Sequence, residues 1–380
     1  MCFWVAIIMT NSSGEGILSA ITLLEIRQRI DTLDTKIFEL LTERAKCAEA
    51  VGMVKRSGGD TDINFYRPER EAQILRRMIS INKGPLKDEQ VTRIYRAIIS
   101  SCLGLEQCLR IAYLGPEGSY TQAAAQKHFS DAVDMLSSAT IAQVFHEVEI
   151  GTVDYGVVPI ENSTEGIVSH TLDLFAQSPL KICGEIHLPI HHSLLCQSDA
   201  LTYAKVETIY AHQQSLAQCR AWLDSNVPQA ERIVVSSNSE GARRVQTEHN
   251  VAAIAGQVAA KLYKLHTLQE NIEDNANNTT RFLVIGNDDV AASGDDKTTL
   301  LISAKNRSGA LYHLLKPLKD YGLDMTRIES RPSKNTLWQY LFFMDIEGHA
   351  DNKNVQAAFA KLEQEAELIR VLGSYPKAIL

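Results

Sequence analysis

The sequence lacks the features that mark membrane and nucleic-acid-binding proteins. It has no Lys/Arg-rich run, aromatic residues make up only 7% of its 380 residues, and its formal net charge is -8. This charge argues against binding to a phosphate backbone. The apolar opening MCFWVAIIM is too short to span a bilayer and has no basic residues for a signal peptide. We expect a cytoplasmic protein with no membrane or nucleic-acid partner, and one hypothesis is that translation starts at Met9 rather than Met1.

Cysteine and histidine also lack metal-binding patterns. The seven cysteines, an odd number, lie at 2, 47, 102, 108, 183, 196 and 219 with no CxxC spacing. Such scattered residues favour reduced thiols over a disulfide framework and give no zinc cluster. His187 and His191 are four residues apart, but Pro189 between them would break the helix needed to join them at one metal. We predict structural histidines and neither a metal nor an organic cofactor.

What is present is ordinary globular composition, 45% hydrophobic and 22% charged, in three segments with different patterns. In the first segment, apolar residues step by three and four from Leu23 to Val54, which predicts one long helix with Arg44 in its apolar seam. A second helix is predicted to start near Pro68 and a third to run from Leu86 to Leu109. Residues 17–109 are therefore predicted to be an all-α domain.

The next segment, residues 110–286, alternates apolar strands with polar loops and helices. RIAYL, YGVV, ETIY, RIVV and AAIA each precede such a loop, which predicts a doubly wound α/β domain that ends with the strand in NTTRFLVIG. The acidic, Gly/Ser-containing stretch 287–297 is typical of a linker. Residues 298–380 follow the order βαββαβ, which predicts an α+β ferredoxin-like module. The whole chain is thus multidomain.

Arg44 stands where the helix seam should be apolar. An unpaired charge there costs several kcal/mol, so it implies either a buried salt bridge or an anionic ligand. Lys55 lies about 16 Å further along the helix and within roughly 20° of Arg44, so two cations can converge on a small dianion. Arg27 lies about 25 Å from Arg44 along the same helix, so only an antiparallel partner helix could bring both to one ligand.

These residues carry a family resemblance. LLEIRQRIDTLDTKIFELLTERAKCAEAVGMVK and RPEREAQIL resemble the helical chorismate mutase domain of the bifunctional chorismate mutase/prephenate dehydratase family. The resemblance implies rearrangement of chorismate to prephenate and a homodimer through the helical domain, with a higher oligomer left open. Positioning and charge stabilisation must accelerate this pericyclic reaction, since it needs no nucleophile. The implied substrate contacts are Arg44 and Arg27 of the partner subunit for the carboxylates, Lys55 for the ether oxygen, and Glu71, with Arg70 beside it, for the substrate hydroxyl.

Two positions depart from this family pattern. Arg67 stands where some relatives have an aspartate, so no role is assigned to it. Glu106 stands where others have a glutamine that contacts the ether oxygen. A carboxylate would repel the negative charge that develops there, so we expect Glu106 to act as a neutral, protonated donor.

The middle segment resembles a second enzyme. The hydroxyls of Thr279 and Thr280, at the start of the last strand, could simply bond local backbone. However, GPEGSYTQAA, VPIENSTEG and NTTRF together resemble prephenate dehydratase, which implies a two-lobed α/β domain like type 2 periplasmic binding proteins, with the final strand crossing back. Ala211 stands where relatives often have serine, which argues against a required hydroxyl group at this position. The implied catalytic residues are Thr280 as proton donor, Asn162 and Gln218, and the implied substrate-binding residues are Ser119, Glu161 and Arg281.

The last segment resembles a regulatory domain. NRSGALYHLL and RIESRPSKN resemble the GAL and ESRP motifs of ACT domains that bind L-phenylalanine in this family. From the residues alone, a turn glycine and a surface ion pair would explain the same pattern. The effector-binding residues implied by the resemblance are Gly309, Ala310, Leu311, Glu329, Ser330 and Arg331.

Together the resemblances imply an enzyme of phenylalanine biosynthesis that converts chorismate to prephenate and prephenate to phenylpyruvate, and that L-phenylalanine inhibits. Two rival hypotheses stay open. A non-catalytic sensor would bind small molecules without turnover, and an arogenate dehydratase would use nearly the same site. Following phenylpyruvate formation from chorismate would separate the three.

Overall fold

The computed structural model describes residues 22–57, 65–130, 132–305, 307–332 and 340–379. Met1, Met9 and the expected start of the helical segment at residue 17 lie outside these ranges. Contacts divide the chain into two units. The described part of the first unit is residues 22–57 and 105–107, and the second unit contains the other described residues.

The first unit is dominated by one helix, α1, Leu23–Ser57, which confirms the single long helix predicted from the apolar spacing. Thr22 and Glu25 form a capping box at its start: the Thr22 amide donates to Glu25 at 2.7 Å, and the Glu25 amide donates to the Thr22 hydroxyl at 3.3 Å. Within this chain the predicted apolar seam is exposed, with Ile30 at 49%, Ile37 at 54% and Val54 at 70%.

Two further helices follow, as predicted. α2, Pro68–Ile81, begins with proline at its first turn, where the missing amide hydrogen costs nothing, and with Glu69 and Glu71 at its positive end. α3 spans Asp88–Glu106, shorter at both ends than the pattern suggested.

The middle segment contains two sheets, which agrees with the expected two lobes. The first sheet has the order β2-β1-β3-β11-β5, with the short β4 beside β3. Its strands are β1 Arg110–Leu114, β2 Asp134–Ser138, β3 Tyr155–Asn162, β4 Gly166–Ile167, β5 Lys181–Pro189 and β11 Thr279–Gly286, and its helices are α4 Tyr120–Phe129, α5 Ile141–Glu149 and α6 Ser169–Phe175.

The second sheet has the order β10-β6-β9-β7-β8. Its strands are β6 Ser193–Cys196, β7 Thr208–Ala211, β8 Glu231–Val234, β9 Val251–Ala255 and β10 His266–Gln269, and its helices are α7 Gln213–Gln218, α8 Arg220–Asn226, α9 Asn238–Val245 and α10 Gln257–Leu262. After this sheet the chain returns to the first one, where β11 lies between β3 and β5 and runs antiparallel to both. The returning last strand is therefore confirmed, whereas the likeness to type 2 periplasmic binding proteins stays a prediction.

The C-terminal module has the predicted order βαββαβ. Its antiparallel sheet has the strand order β13-β14-β12-β15. The elements are β12 Asp296–Ala304, α11 Ala310–Asp320, β13 Met325–Pro332, β14 Tyr340–Glu347, α12 Lys353–Glu365 and β15 Ala366–Pro376.

This module packs directly on the first sheet. Leu301, Phe343 and Leu372 of the module share one buried cluster with Ile182 and Leu283 of β5 and β11. The stretch expected to be a linker, 287–297, is packed as well, because Val290, Ser293 and Lys297 within it are buried. The C-terminal module therefore covers one face of the sheet that contains Thr280.

Candidate active sites

A cavity of about 430 Å³ lies between the two sheets of the middle segment. It is lined by the loop after β1, the end of β3, the start of β11 and the N-terminal ends of α4, α7 and α9. Gly118 in the first of these loops has a φ of +81°, and a Cβ there would lie 2.7 Å from the Ser239 hydroxyl oxygen. Only glycine can therefore make this close approach without strain.

Thr280 and Asn162 face each other across β11 and β3 and line this cavity. The Asn162 amide nitrogen donates to the Thr280 hydroxyl oxygen and to Asn278 Oδ1, both at 2.8 Å. The amide oxygen of Asn162 accepts from the backbone amides of Thr164 and Glu165, each at 3.0 Å, which fixes the orientation of the amide. Because Asn162 occupies the Thr280 oxygen as an acceptor, the hydroxyl proton is directed to another partner.

Gln218 belongs to a second set of bonds at the same cavity. Its amide oxygen lies 2.8 Å from His192 Nε2 and accepts from Asn278 at 3.2 Å, and its amide nitrogen donates to Glu165 at 3.1 Å. Burial lowers the pKa of His192, so the ring is neutral near pH 7. Since Gln218 Oε1 can only accept, His192 carries its proton on Nε2, and its Nδ1 lies 2.7 Å from the Tyr120 hydroxyl, which also donates to the His191 carbonyl oxygen at 2.9 Å.

The cavity has an unusual charge balance for a site that takes anions. The lining residues, all within the described part of the chain, include no lysine or arginine, and Glu165 is among them. Ser119 caps α4 by accepting from the Gln122 amide, and Ser237 caps α9 by accepting from the Glu240 amide. The positive ends of these two helices are therefore the attractive features for an anion.

Two residues expected at this cavity lie elsewhere. Successive side chains of a strand point to opposite faces, so the neighbours of Thr280 and Asn162 face away from the cavity. Arg281 Nε lies 2.8 Å from Glu185, and Arg281 Nη1 lies 2.5 Å from Asp345 of the C-terminal module. Glu161 lies 3.2 Å from Arg327 of the same module. The prediction that Arg281 and Glu161 bind substrate directly is therefore wrong, because both residues contact the C-terminal module.

The residues expected for the helical site fall in both units. In the first unit, Lys55 Nζ lies 3.4 Å from Glu106 Oε2. On α1, Arg27 is exposed and Arg44 is half-buried. In the second unit, Arg70 is exposed.

Glu71, also in the second unit, is paired within a smaller cavity of about 250 Å³. Its carboxylate lies 3.3 Å from Arg96 Nε, and burial raises its pKa. His128 Nε2 in the same lining lies 2.5 Å from the Tyr66 hydroxyl, and burial lowers the pKa of His128 to about 3.

The expected effector residues lie on two elements of the C-terminal module. Gly309, with a φ of +73°, precedes α11, which begins with Ala310 and Leu311. On β13, Glu329 and Arg331 are half-buried while Ser330 between them is exposed. Arg331 lies 3.1 Å from Asp173 of α6, so this residue contacts the middle segment.

Sequence reasoning missed His192, Asn278 and Tyr120, which complete the bonds around Gln218 and Asn162. The HLPIHHSLL segment was considered only for metal binding through His187 and His191. In the structure His191 Nδ1 lies 2.7 Å from Glu273.

Among the described residues, no three His, Cys, Asp or Glu side chains are grouped to hold a metal ion. No helix in the same ranges is long and apolar enough to cross a membrane.

Comparison with known proteins finds three family models along the chain. Chorismate mutase type II matches residues 26–107, prephenate dehydratase matches 111–290 and the ACT domain matches 298–364.

Full-length relatives agree. The bifunctional chorismate mutase/prephenate dehydratase of Pseudomonas aeruginosa is 53% identical over 93% of this chain and 98% of its own length. The protein of that name from Neisseria gonorrhoeae is 50% identical over 94% of this chain and 98% of its own. Among solved structures, prephenate dehydratase from Arthrobacter aurescens in complex with L-Phe has a TM-score of 0.65 at 32% identity, and covers 70% of this chain and 90% of its own.

Proposed function

The chain belongs to the bifunctional chorismate mutase/prephenate dehydratase family, and we propose that the cavity beside Thr280 is its dehydratase site. The enzyme rearranges chorismate to prephenate, and then dehydrates and decarboxylates prephenate to phenylpyruvate. The observation that carries the assignment of the site is the bond from Asn162 to the Thr280 oxygen, since it leaves the Thr280 proton available to a bound substrate. The proposed domains are residues 17–109, 110–286 and 298–380, with 287–297 between the last two.

In the dehydratase reaction, the bond between the ring and its carboxylate breaks, and its electrons complete the aromatic ring. The ring C–O bond breaks at the same time, and the departing hydroxide takes a proton from Thr280 and leaves as water. The Thr280 oxygen becomes negatively charged as the proton leaves, and the N–H of Asn162 at 2.8 Å stabilises this charge. Solvent then returns the proton. A threonine hydroxyl is a weak acid, so this stabilisation is what makes the transfer feasible.

The two substrate carboxylates need different surroundings. The retained carboxylate is proposed to bind at the N-terminal ends of α4 and α9, near Ser119 and Ser237, where amide groups and helix dipoles favour an anion. The departing carboxylate becomes neutral carbon dioxide, so a cation beside it would stabilise the ground state and slow the reaction. The absence of lysine and arginine among the described residues that line the cavity supports this division.

For the mutase reaction we propose that Lys55 contacts the ether oxygen together with Glu106, whose Oε2 lies 3.4 Å from Lys55 Nζ. Arg44 of this chain and Arg27 of the partner subunit would hold the carboxylates. Glu71, with Arg70 beside it, would bind the substrate hydroxyl. This assignment requires a homodimer through the helical domain. The exposed apolar seam of α1, which includes Ile30 and Ile37, supports such an interface because a second helix would bury it.

L-phenylalanine is the proposed effector of the C-terminal module. The support is the similarity to a prephenate dehydratase solved in complex with L-Phe, together with the left-handed Gly309 at the start of α11 and the half-buried Glu329. The residues proposed to surround the effector are Gly309, Ala310, Leu311, Glu329 and Ser330. Arg331 is proposed to contribute to the effector response through its contact with Asp173 of α6, rather than by surrounding the effector.

One assay tests these assignments. Purified protein is incubated separately with chorismate, prephenate and arogenate, and the products are followed with and without L-phenylalanine. We expect phenylpyruvate from both chorismate and prephenate, and suppression by L-phenylalanine. Binding without turnover would favour a sensor, and phenylalanine formed faster from arogenate than phenylpyruvate from prephenate would favour an arogenate dehydratase.

A further inference from the structure

Two adjacent strands carry the cavity residues on one face and charged residues on the other. β11 pairs with β3 so that Thr280 lies opposite Asn162, and Arg281 lies opposite Glu161. The first pair lines the cavity. The second pair therefore occupies the opposite face of the sheet, which we call the covered face because the C-terminal module packs against it.

Arg281 is held on the covered face by three partners. Its Nε bonds to Glu185 of β5 at 2.8 Å, its Nη1 to Asp345 of β14 at 2.5 Å, and its Nη2 donates to the Tyr375 hydroxyl at 3.0 Å. The guanidinium group is planar and rigid, so bonds from all three nitrogens fix its orientation. Two of the three partners belong to the C-terminal module.

The charges around this group are balanced and shielded from water. Glu185 and Asp345 side chains are each 1% exposed, and Lys297 Nζ lies 2.8 Å from Glu185. Burial alone would raise the pKa of Glu185, but the His187 hydrogen bond and the Arg281 and Lys297 charges hold it well below its usual range. A buried set of two cations and two anions tolerates the loss of one member poorly, since a net charge would then stay in the interior.

The same module also contacts the neighbour of Asn162. Arg327 Nε lies 3.2 Å from Glu161, but this ion pair lacks hydrogen-bond geometry, and Nε and Nη2 of Arg327 are buried without a hydrogen-bond partner among the described residues. The contact at Glu161 is therefore the looser of the two. The contact at Arg281, with its three bonds, is the one that can fix a strand.

We propose that Arg281 and Asp345 form a positioning pair for the dehydratase reaction. The pair anchors the start of β11 to the C-terminal module, and so sets the distance between the Thr280 hydroxyl and the substrate without either residue reaching the cavity. The proposal rests on the dehydratase site proposed above. It assigns the C-terminal module a second role: besides binding an effector, it completes the support of the catalytic strand.

The test compares two variants of neighbouring residues on β14. Asp345→Asn removes the charge that holds Arg281 while keeping the shape of the side chain. Glu347→Gln makes the same chemical change two residues along the strand, where the carboxylate is half-exposed and pairs with Lys377 at 2.8 Å. Arg281→Lys is a third variant, which keeps the charge but loses the fork of donors.

We expect Asp345→Asn and Arg281→Lys to lower dehydratase kcat by about 10-fold to 100-fold, because a misplacement of about 1 Å has effects of that size. The KM for prephenate should stay within about twofold, since substrate contacts are unchanged. Mutase activity should match wild type in Asp345→Asn, Arg281→Lys and Glu347→Gln. The Tm of Glu347→Gln should also match wild type. The double variant Asp345→Asn/Lys297→Met restores the charge balance and should restore Tm, but it should leave kcat low because Arg281 still lacks its charged partner.

Three results would overturn the inference. Dehydratase kcat of Asp345→Asn equal to that of Glu347→Gln would show that the pair does not position Thr280. Equal loss of both activities, with recovery of kcat in the double variant, would show a purely structural role. A wild-type enzyme without prephenate turnover would overturn the dehydratase site itself and this inference with it, so the two failures are distinguishable.

Discussion

Thr280→Val separates the proposed catalytic role of Thr280 from a structural one. Valine keeps the shape of the side chain, which is 9% exposed, and removes only the hydroxyl. In wild type that oxygen accepts one N–H of Asn162, while the other N–H bonds to Asn278 and the Asn162 oxygen is held by backbone amides. The substitution therefore leaves one donor of the half-buried Asn162 unpaired.

The expected magnitudes differ between the two roles. Even a fully buried unpaired donor would cost only about 1–3 kcal/mol of stability, which leaves a protein of ordinary stability folded, so a structural role predicts almost no change in either activity. Loss of a positioned proton donor lowers kcat by roughly 100-fold to 10,000-fold. This corresponds to about 3–5 kcal/mol in the activation barrier. The two roles thus differ by at least about two orders of magnitude in dehydratase kcat.

The assay measures phenylpyruvate formation from prephenate and, on the same sample, loss of chorismate. Thr280→Ser, which keeps a hydroxyl, should retain more dehydratase activity than Thr280→Val. Thr279→Val is the matched control, because the adjacent side chain points to the opposite face of β11. Dehydratase kcat of Thr280→Val within about threefold of wild type would refute the proton-donor role, and equal loss of both activities would indicate misfolding.

Three further outcomes are expected. Glu329→Ala and Gly309→Val should leave turnover without L-phenylalanine largely intact but weaken inhibition, because an effector acts through differential binding to two states; unchanged inhibition curves in both variants would place the effector elsewhere. Glu106→Gln should keep mutase kcat/KM further into the alkaline range than wild type, since an amide donates at any pH; superimposable pH profiles would contradict a neutral donor at this position. His128 has its pKa lowered from 6.5 to about 3, so the unfolded state binds a proton that the folded state does not, and stability is lost as pH falls below about 6.5. From pH 7 to pH 5 this loss is about 2 kcal/mol, and urea unfolding at these two pH values should show a smaller decrease in the free energy of unfolding for His128→Gln than for wild type.

Sequence periodicity predicted the elements whose apolar residues repeat clearly. The spacing of α1 and the apolar runs of β1, β7 and β9 each correspond to an observed element. Several of the strands that were not predicted have weaker signals, although β6, with sequence SLLC, is apolar and buried. β2, with sequence DMLSS, and β10, with sequence HTLQ, are short, polar edge strands, and β5 combines a glycine, a proline and the buried Glu185. Neighbouring strands, rather than local preference, determine such segments.

The positions of the candidate site residues were predictable where short motifs carry them. Prediction failed where strand geometry decides which face a side chain occupies. Asn162, Gln218 and Thr280 meet at one cavity, as their motifs imply. Arg281 cannot join them, because adjacent residues of one strand face opposite sides. The sequence could have given this alternation, but it could not show that a separate module supplies Asp345 on the covered face. His192 was missed because its segment gave no strand or loop prediction that would bring it near Gln218.

The packed connection between β11 and β12 explains how the C-terminal module can keep a fixed position beside β11. In that connection the Ser293 and Gly294 amides both donate to Asp296, at 2.9 and 3.0 Å, and Gly294 has a φ of +100°, which glycine adopts at little cost. Arg76 of α2 bonds to the Ser293 hydroxyl at 2.8 Å and holds the turn from outside. A flexible tether would let the C-terminal module drift, and the pair of Arg281 and Asp345 would then not keep a fixed geometry. If Arg281 and Asp345 position Thr280 as proposed, an effector that displaces β14 would shift Thr280 through this pair without entering the cavity.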